Sequence, residues 1–234
     1  MTDQPTSKPD PKTEPEAAAA AAADDEVHVQ IVLDRSGSMG PIAAATVDAI
    51  NGFLAKQRAH PGILRLSLVD FDSQEPFRLV VDGVPIAEVI DLTEDDYEPR
   101  GGTPLLDAIG RAVERLDARV AELADEDQVL VIITDGHENA STDYTAARIS
   151  KLLDARQKAG WTVLFLGANQ DSFATGASMQ MKKGNVRDFE ASVQGVQSAV
   201  TLAADAVYAH RSRSRVERSL VKDELFDIEE SDDS

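Results

Sequence analysis

The 234-residue chain contains no cysteine. A chain without cysteine has no disulfide framework, no thiolate metal site and no cysteine nucleophile. Basic residues are also scarce, because 23 Lys and Arg stand against 42 Asp and Glu and give a formal net charge of -19. Such a surface repels nucleic acid phosphates and anionic lipid headgroups, so we expect neither nucleic acid nor a membrane as partner.

Long apolar runs are missing as well. No stretch of the chain approaches the ~20 apolar residues that a membrane span needs. The N-terminus has no basic segment followed by an apolar core, since the alanine run from Ala17 to Ala23 is short and weakly apolar. We therefore expect a cytoplasmic protein that is monomeric when free. Hydrophobic residues make up 42% of the chain, which is enough to fill one sizeable core.

Composition divides the chain into three parts. Residues 1–25 combine prolines and acidic residues with the alanine run, and we predict a disordered leader there. Residues 26–210 carry regular apolar patterns and form the predicted domain. Residues 211–234 mix arginine with serine and then turn acidic, which predicts a second disordered tail. The arginines between Arg211 and Arg218 are interpreted as favourable charges at the end of the last helix.

Apolar patterning inside the domain alternates between strands and helices. The runs Val27–Leu33 and Val129–Ile133 are typical of buried central strands, and Leu105–Val120 has helical spacing. A link of hairpin length joins Leu64–Phe71 to Phe77–Val81, which predicts antiparallel neighbours. Further elements are predicted at residues 41–60, 144–159, 161–166, 171–177, around 186, and 190–210. This order predicts an α/β fold with a doubly wound, Rossmann-like sheet, mostly parallel with one antiparallel edge strand and helices on both faces.

Two of the predicted strands end in a carboxylate. Asp34 opens an Asp-x-Ser-x-Ser segment, and Asp135 follows the strand that ends at Ile133. If the two strands are neighbours where the strand order reverses, both carboxylates face one crevice. Ser36 and Ser38 add hydroxyls on alternate residues, and Gly-Gly-Thr-Pro is a mobile loop able to bring the hydroxyl of Thr103. Hard oxygen donors of this kind suit Mg²⁺ or Ca²⁺ rather than a softer metal.

These three segments together resemble the metal-ion-dependent adhesion site of von Willebrand factor A domains, and the resemblance covers about residues 26–205. It implies that Ser36 and Ser38 bind the cation directly and that Asp34 and Asp135 bind it directly or through water. Thr103 is implied to bind when a ligand closes the site. A Glu or Asp of a protein partner takes the remaining position. Mg²⁺ is the expected cation, with Mn²⁺ or Ca²⁺ as alternatives.

The segment Gly-Gly-Thr-Pro-Leu-Leu-Asp-Ala-Ile is most similar to the intracellular bacterial branch of that family. This likeness implies an adaptor, not an enzyme, in a complex with an AAA+ ATPase or of the tellurite-resistance type. Three alternatives stay open: a purely structural metal clip, an exported adhesin, and a Mg²⁺-dependent phosphoester hydrolase. A phosphoester hydrolase needs basic side chains to hold the phosphate, and Arg35 and Arg100 are the only ones in the motifs.

Three neighbouring segments have simpler interpretations. His137-Glu138 lacks a second histidine at zinc-site spacing, which favours a solvated loop pair. The acidic run from Glu94 to Glu98 is interpreted as a solvated face, with a basic partner or a second cation as the alternative. Asp171 is a candidate N-cap for the short helix that follows it.

Overall fold

The computed structural model describes residues 26–122, 126–168 and 172–228, and a six-stranded sheet forms its centre. In chain order the strands are β1 (Val27–Asp34), β2 (Leu64–Phe71), β3 (Arg78–Pro85), β4 (Asp127–Thr134), β5 (Thr162–Ala168) and β6 (Val186–Phe189). Their order in the sheet is β3-β2-β1-β4-β5-β6, and every neighbouring pair is parallel except β2 with β3. The predicted fold class, including the antiparallel edge strand, is confirmed.

Helices cover both faces of the sheet. They are α1 (Ala43–Arg58), α2 (Leu105–Glu122), α3 (Ala146–Lys158), α4 (Ser172–Ser178), α5 (Val193–Arg211), α6 (Arg215–Val221) and α7 (Leu225–Ile228). Successive strand residues point to opposite faces. Ile31 and Leu33 accordingly pack in the core beneath α1 and α5, while Val32 packs in the core beneath α2 and α3. This double burial explains why β1 reads as a continuous apolar run.

The strand order reverses between β1 and β4. From β1 the chain adds β2 and β3 on one side, and from β4 it adds β5 and β6 on the other. Leu33 pairs with Ile133 in the register of these two central strands, so Asp34 and Thr134 end the strands side by side. The two strands are thus neighbours, which was the condition for a shared crevice, and their pairing brings both carboxylates to one edge of the sheet.

Among the element boundaries that differ from the sequence prediction, two have a clear structural reason. Strand β3 continues four residues beyond Val81, because register shifts against β2 and a positive φ of 59° at Gly83 interrupt the alternation that pattern reading relies on. The helix predicted from residue 41 begins as a 3₁₀ turn, Gly37–Ile42, and becomes α-helical only at Ala43.

The tail predicted to be disordered from residue 211 is folded as far as residue 228. A capping box starts α6, in which Ser214 and Glu217 each bond the other's backbone amide, and α7 buries Leu225 and Phe226 in the core. Arg211 is 2% exposed and donates to the backbone carbonyls of Gln57 and Gly62. Arg211 lies in the last turn of α5, as the interpretation of a helix-end charge requires, and its buried hydrogen bonds also join that helix to the end of α1.

Two predictions fall on residues whose structure is not described. The leader of residues 1–25 and the capping role of Asp171 lie outside the described ranges. Within those ranges, no helix is both long enough and apolar enough to cross a membrane.

The buried position of Phe226 can be tested by substitution. Phe226→Ala removes a fully buried ring and should lower the free energy of unfolding by about 3–5 kcal/mol. Val216→Ala is the matched control, since Val216 is 72% exposed and its loss should change stability by less than about 0.5 kcal/mol. Urea denaturation measures both. Equal midpoints for the two variants would mean that α7 does not pack on the domain.

Candidate metal centre

Asp34 is the last residue of β1, and its side chain is fully buried at the carboxyl edge of the sheet. One carboxylate oxygen accepts the backbone N–H of Ser36 at 2.7 Å, and the other accepts the Thr134 hydroxyl at 2.6 Å. Both donors are neutral groups. The structure thus buries a carboxylate without a cationic hydrogen-bond partner, which is costly unless another positive charge compensates it.

The two serines and the second aspartate form a chain of short contacts next to Asp34. The hydroxyl oxygens of Ser36 and Ser38 lie 3.0 Å apart, and the Ser38 hydroxyl donates to Asp135 Oδ1 at 2.6 Å. Ser38 is exposed, whereas Ser36 and Asp135 are 1% and 2% exposed. The cluster is therefore buried on the sheet side and open to solvent at Ser38.

Thr103 completes the group from the loop before α2. A methyl group built onto Gly136 would lie 3.1 Å from Thr103 Oγ1, 3.4 Å from Ser38 Oγ and 3.9 Å from Asp34 Oδ2. Oxygen atoms from the end of β1, from the loop that follows it and from the loop before α2 thus surround one small space that a glycine leaves free. The structure brings all five predicted site residues together.

The donor set fits a small hard cation. With Mg–O distances of about 2.1 Å, adjacent oxygens of an octahedron are separated by about 3 Å, close to the Ser36–Ser38 separation of 3.0 Å. The described residues contain no cluster of three or more His, Cys, Asp or Glu side chains suited to a metal. A cation here would therefore depend on two carboxylates, three hydroxyls and an oxygen from outside the chain.

Burial shifts the acidity of both carboxyl groups. Desolvation raises the pKa of Asp34 to about 6, against the hydrogen bonds from Thr134 and Ser36 that favour the charged form. Burial likewise raises the pKa of Asp135, against the hydrogen bond from Ser38. Both shifts show that the protein alone does not fully stabilise the negative charge of this site.

An arginine–carboxylate network that the sequence did not reveal lies beside the cluster. Arg35 Nη2 lies 2.6 Å from Asp72 Oδ2, and Arg100 Nε donates to the same oxygen at 3.0 Å. Both guanidinium groups also reach Glu75. The backbone amide of Arg100 bonds the carbonyl of Arg35. Asp72 follows β2 at the same sheet edge, so the strand-end rule that located Asp34 was the signal for this residue too.

The Gly-Gly-Thr loop is held on several sides, although the sequence suggested a mobile loop. The carbonyl of Gly101 accepts the amide of Gly37, and the backbone of Gly102 exchanges hydrogen bonds with Ser73. Gly101 has a φ of 66°, and a Cβ there would lie 2.5 Å from Ser73 Oγ, so only glycine fits this approach. On the other side, Asn139 Oδ1 accepts the amide of Thr103 at 2.8 Å.

The pair His137-Glu138 has a more specific role than a solvated loop. Glu138 accepts the backbone amide of Leu106 at 3.0 Å, in the first turn of α2, and also the amide and hydroxyl of Ser141. A carboxylate at a helix N-terminus interacts favourably with the helix dipole. Glu138 therefore fixes the loop that carries Asn139, while His137 is exposed.

A comparison with protein-family models gives one match, the von Willebrand factor type A domain, over residues 28–217. This match covers most of the chain. The chain belongs to the von Willebrand factor type A (VWA) family. No curated protein has a sequence similar enough to match it.

Solved structures share the VWA fold at low sequence identity. The pilus adhesin SpaC from Lactobacillus rhamnosus GG has a TM-score of 0.63 at 15% identity, over 79% of this chain and 31% of the adhesin. Proximal thread matrix protein 1 from the mussel byssus, described with a zinc-occupied MIDAS motif, has a TM-score of 0.57 at 17% identity, over 78% and 48%. Manganese-loaded TRAP protein of Plasmodium vivax has a TM-score of 0.50 at 13% identity, over 76% and 73%. The VWA chain spans about half the length of the mussel protein and less of the adhesin.

The space at Gly136 gives a first test of the site. Gly136→Ala places a methyl group between the oxygens of Thr103 and Ser38, so we expect Mg²⁺ or Mn²⁺ affinity to fall by at least about tenfold. Gly40→Ala is the matched control, because a Cβ at Gly40 meets no atom within 4 Å. Titration calorimetry with each metal measures both variants. Unchanged affinity in Gly136→Ala would show that the cation binds elsewhere.

The acidity of Asp34 predicts a pH-dependent stability in EDTA. Since its folded-state pKa is above the unfolded value, the folded state binds the proton more tightly, and stability falls as pH rises from about 4 to about 6. Asp34→Asn removes this charge. At pH 7.5 it should raise the free energy of unfolding by on the order of 2 kcal/mol and Tm by several degrees, whereas at pH 4 it should change Tm little. Asp48→Asn on the exposed face of α1 is the control. An equal effect at both pH values would contradict the raised pKa.

Proposed function

We propose that this VWA domain is a protein-binding module whose partner is captured through a divalent cation. Asp34, Ser36, Ser38, Thr103 and Asp135 hold the cation, and a Glu or Asp side chain of the partner supplies the remaining ligand. The observation that carries the proposal is the convergence of oxygens of Thr103, Ser38 and Asp34 on the space beside Gly136, where the Asp34 carboxylate has no cationic hydrogen-bond partner.

The charge balance supports an acidic ligand. Two carboxylates and three neutral hydroxyls leave a divalent cation short of both ligands and compensating charge, so an additional carboxylate is attracted to it. Hard oxygen donors favour Mg²⁺, with Mn²⁺ or Ca²⁺ as alternatives. Zinc and manganese are named in the solved structures of the mussel and Plasmodium proteins, which supports a divalent metal without selecting one.

The structure gives no support to the hydrolase alternative. A phosphoester hydrolase would need cationic side chains free to clamp the phosphate. Arg35 is 3% exposed and engaged by Asp72 and Glu75, and Arg100 contacts the same two carboxylates. A binding module needs no such clamp, so we propose a non-enzymatic role. A cytoplasmic adaptor in an AAA+ ATPase or tellurite-resistance complex stays a prediction.

Affinity capture from native lysate tests the proposal. Immobilised wild-type chain should retain a partner in Mg²⁺ and lose it in EDTA, and Asp34→Asn should lose it in both, because the partner's carboxylate requires the cation. Asp48→Asn should behave as wild type. Retention of the same partners by Asp34→Asn and in EDTA would show that the metal centre is not the interface.

A further inference from the structure

A groove of about 410 Å³ lies along the edge of the sheet, away from the metal centre. One wall is β3, the outermost strand. The other wall is the segment Glu88–Asp96, which follows the turn after β3 and returns towards the start of that strand. There the Arg78 guanidinium donates to the carbonyl of Asp96 at 2.5 Å. The groove is thus bounded by the turn at one end and by this contact at the other.

The floor of the groove is apolar and firmly supported. Val80, Val84 and Leu92 are partly buried and pack against the core, and Val89 is 7% exposed within it. Ile90 is 85% exposed at the lip, the most exposed large hydrophobic side chain among the described residues. An isolated exposed apolar residue is ordinary, but one at the lip of an apolar groove extends a surface that can be buried by a ligand.

The backbone of β3 adds hydrogen-bonding capacity to this surface. No other strand of the described ranges pairs with its outer edge. Its pairing with β2 shifts register at Val80 and again between Val81 and Val84, and Gly83 has a positive φ, so the strand is irregular along much of its length. These bulges limit regular strand addition (β-augmentation), so backbone groups of the outer edge can add single hydrogen bonds to an extended segment that the groove side chains recognise.

Charge defines the kind of segment that fits. Four of the described residues that line the groove are acidic, Asp82, Glu88, Asp91 and Asp96, and none of them is basic. Arg78 lies at the closed end of the groove, where its charge is paired with Asp70. Arg115 pairs with Asp82 and Arg58 pairs with Asp91, so these two charges are partly offset. Glu88 and Asp96 are exposed, and Glu94 and Asp95 continue the acidic rim beside them. The rim therefore attracts positive charge and repels a second copy of this acidic chain.

We propose that this groove binds an extended segment of a partner protein in which apolar residues alternate with lysine or arginine. The apolar side chains occupy the floor formed by Val80, Val84 and Leu92, and the basic side chains meet the acidic rim. This recognition differs in sign from that of the metal centre, which selects a carboxylate. Binding in the groove needs no cation, so this proposal does not depend on the proposed metal-dependent function.

A fluorescent heptapeptide of alternating lysine and valine is the probe, titrated with the full chain in fluorescence anisotropy. We expect saturable binding that is the same in Mg²⁺ and in EDTA. Ile90→Ser and Glu88→Lys should each weaken it about tenfold, a change that corresponds to about 1.4 kcal/mol. The control Ile63→Ser alters an exposed side chain and Asp154→Lys a partly exposed one, both outside the groove, and both should leave affinity unchanged.

Two further peptides make the test decisive. A lysine–serine heptapeptide and a glutamate–valine heptapeptide should each bind at least about tenfold more weakly than the lysine–valine probe. Equal binding of the lysine–serine peptide would mean non-specific attraction to an acidic protein and would overturn the proposal. Equal losses in the groove variants and their controls, or methyl NMR shifts that spare Val80, Val84 and Leu92, would overturn it too.

Discussion

The constraint on which the site depends is the adjacency of β1 and β4, two parallel strands that each lead into a carboxylate at the same edge of the sheet. Parallel pairing in this register brings the buried carboxylate of Asp34 and the side chain of Asp135 into one crevice. Like charges in a poorly hydrated crevice raise each other's cost of ionisation. The surrounding hydroxyls of Ser36, Ser38, Thr103 and Thr134 reduce this cost but leave the net charge in place, so a cation is the natural complement.

Another buried carboxylate at the same edge, that of Asp72, shows why a position at the carboxyl edge of the sheet does not by itself create a cation site. Asp72 is as buried as Asp34, but the guanidinium groups of Arg35 and Arg100 contact it. Although burial acts to raise the pKa of Asp72, backbone amides and these arginines outweigh burial and hold the pKa below its usual value. Its charge is already compensated within the chain. The pKa of Asp34 moves the opposite way because burial there outweighs its hydrogen bonds, and no arginine is among its hydrogen-bond donors.

Sequence reasoning located the candidate metal centre because its chemistry follows from local order: a strand, then oxygen-bearing side chains, then glycine. The same reasoning missed contacts that arise only from tertiary packing. Nothing near Tyr97 in the sequence indicates that its hydroxyl donates to the carbonyl of Asp34, 63 residues away. The C-terminal helices were missed for a different reason, since the charged composition after Arg211 hides Leu225 and Phe226. The capping box of Ser214 and Glu217 is a sequence pattern that predicts the start of a helix, but the prediction of disorder rested on composition alone.

Tyr97 also fixes the spatial relation between the metal centre and the edge groove. It follows Asp96, whose carbonyl closes one end of the groove through Arg78, and its buried hydroxyl is bonded to the strand end that carries Asp34. Arg78 in turn pairs with Asp70, which lies on β2 beside that strand. Because these bonds tie the segment that carries Asp96 and Tyr97 to the ends of strands, the two surfaces are held at a set separation. A single partner that used both would need an acidic residue and a basic, apolar segment spaced to match, a stricter requirement than either surface imposes alone.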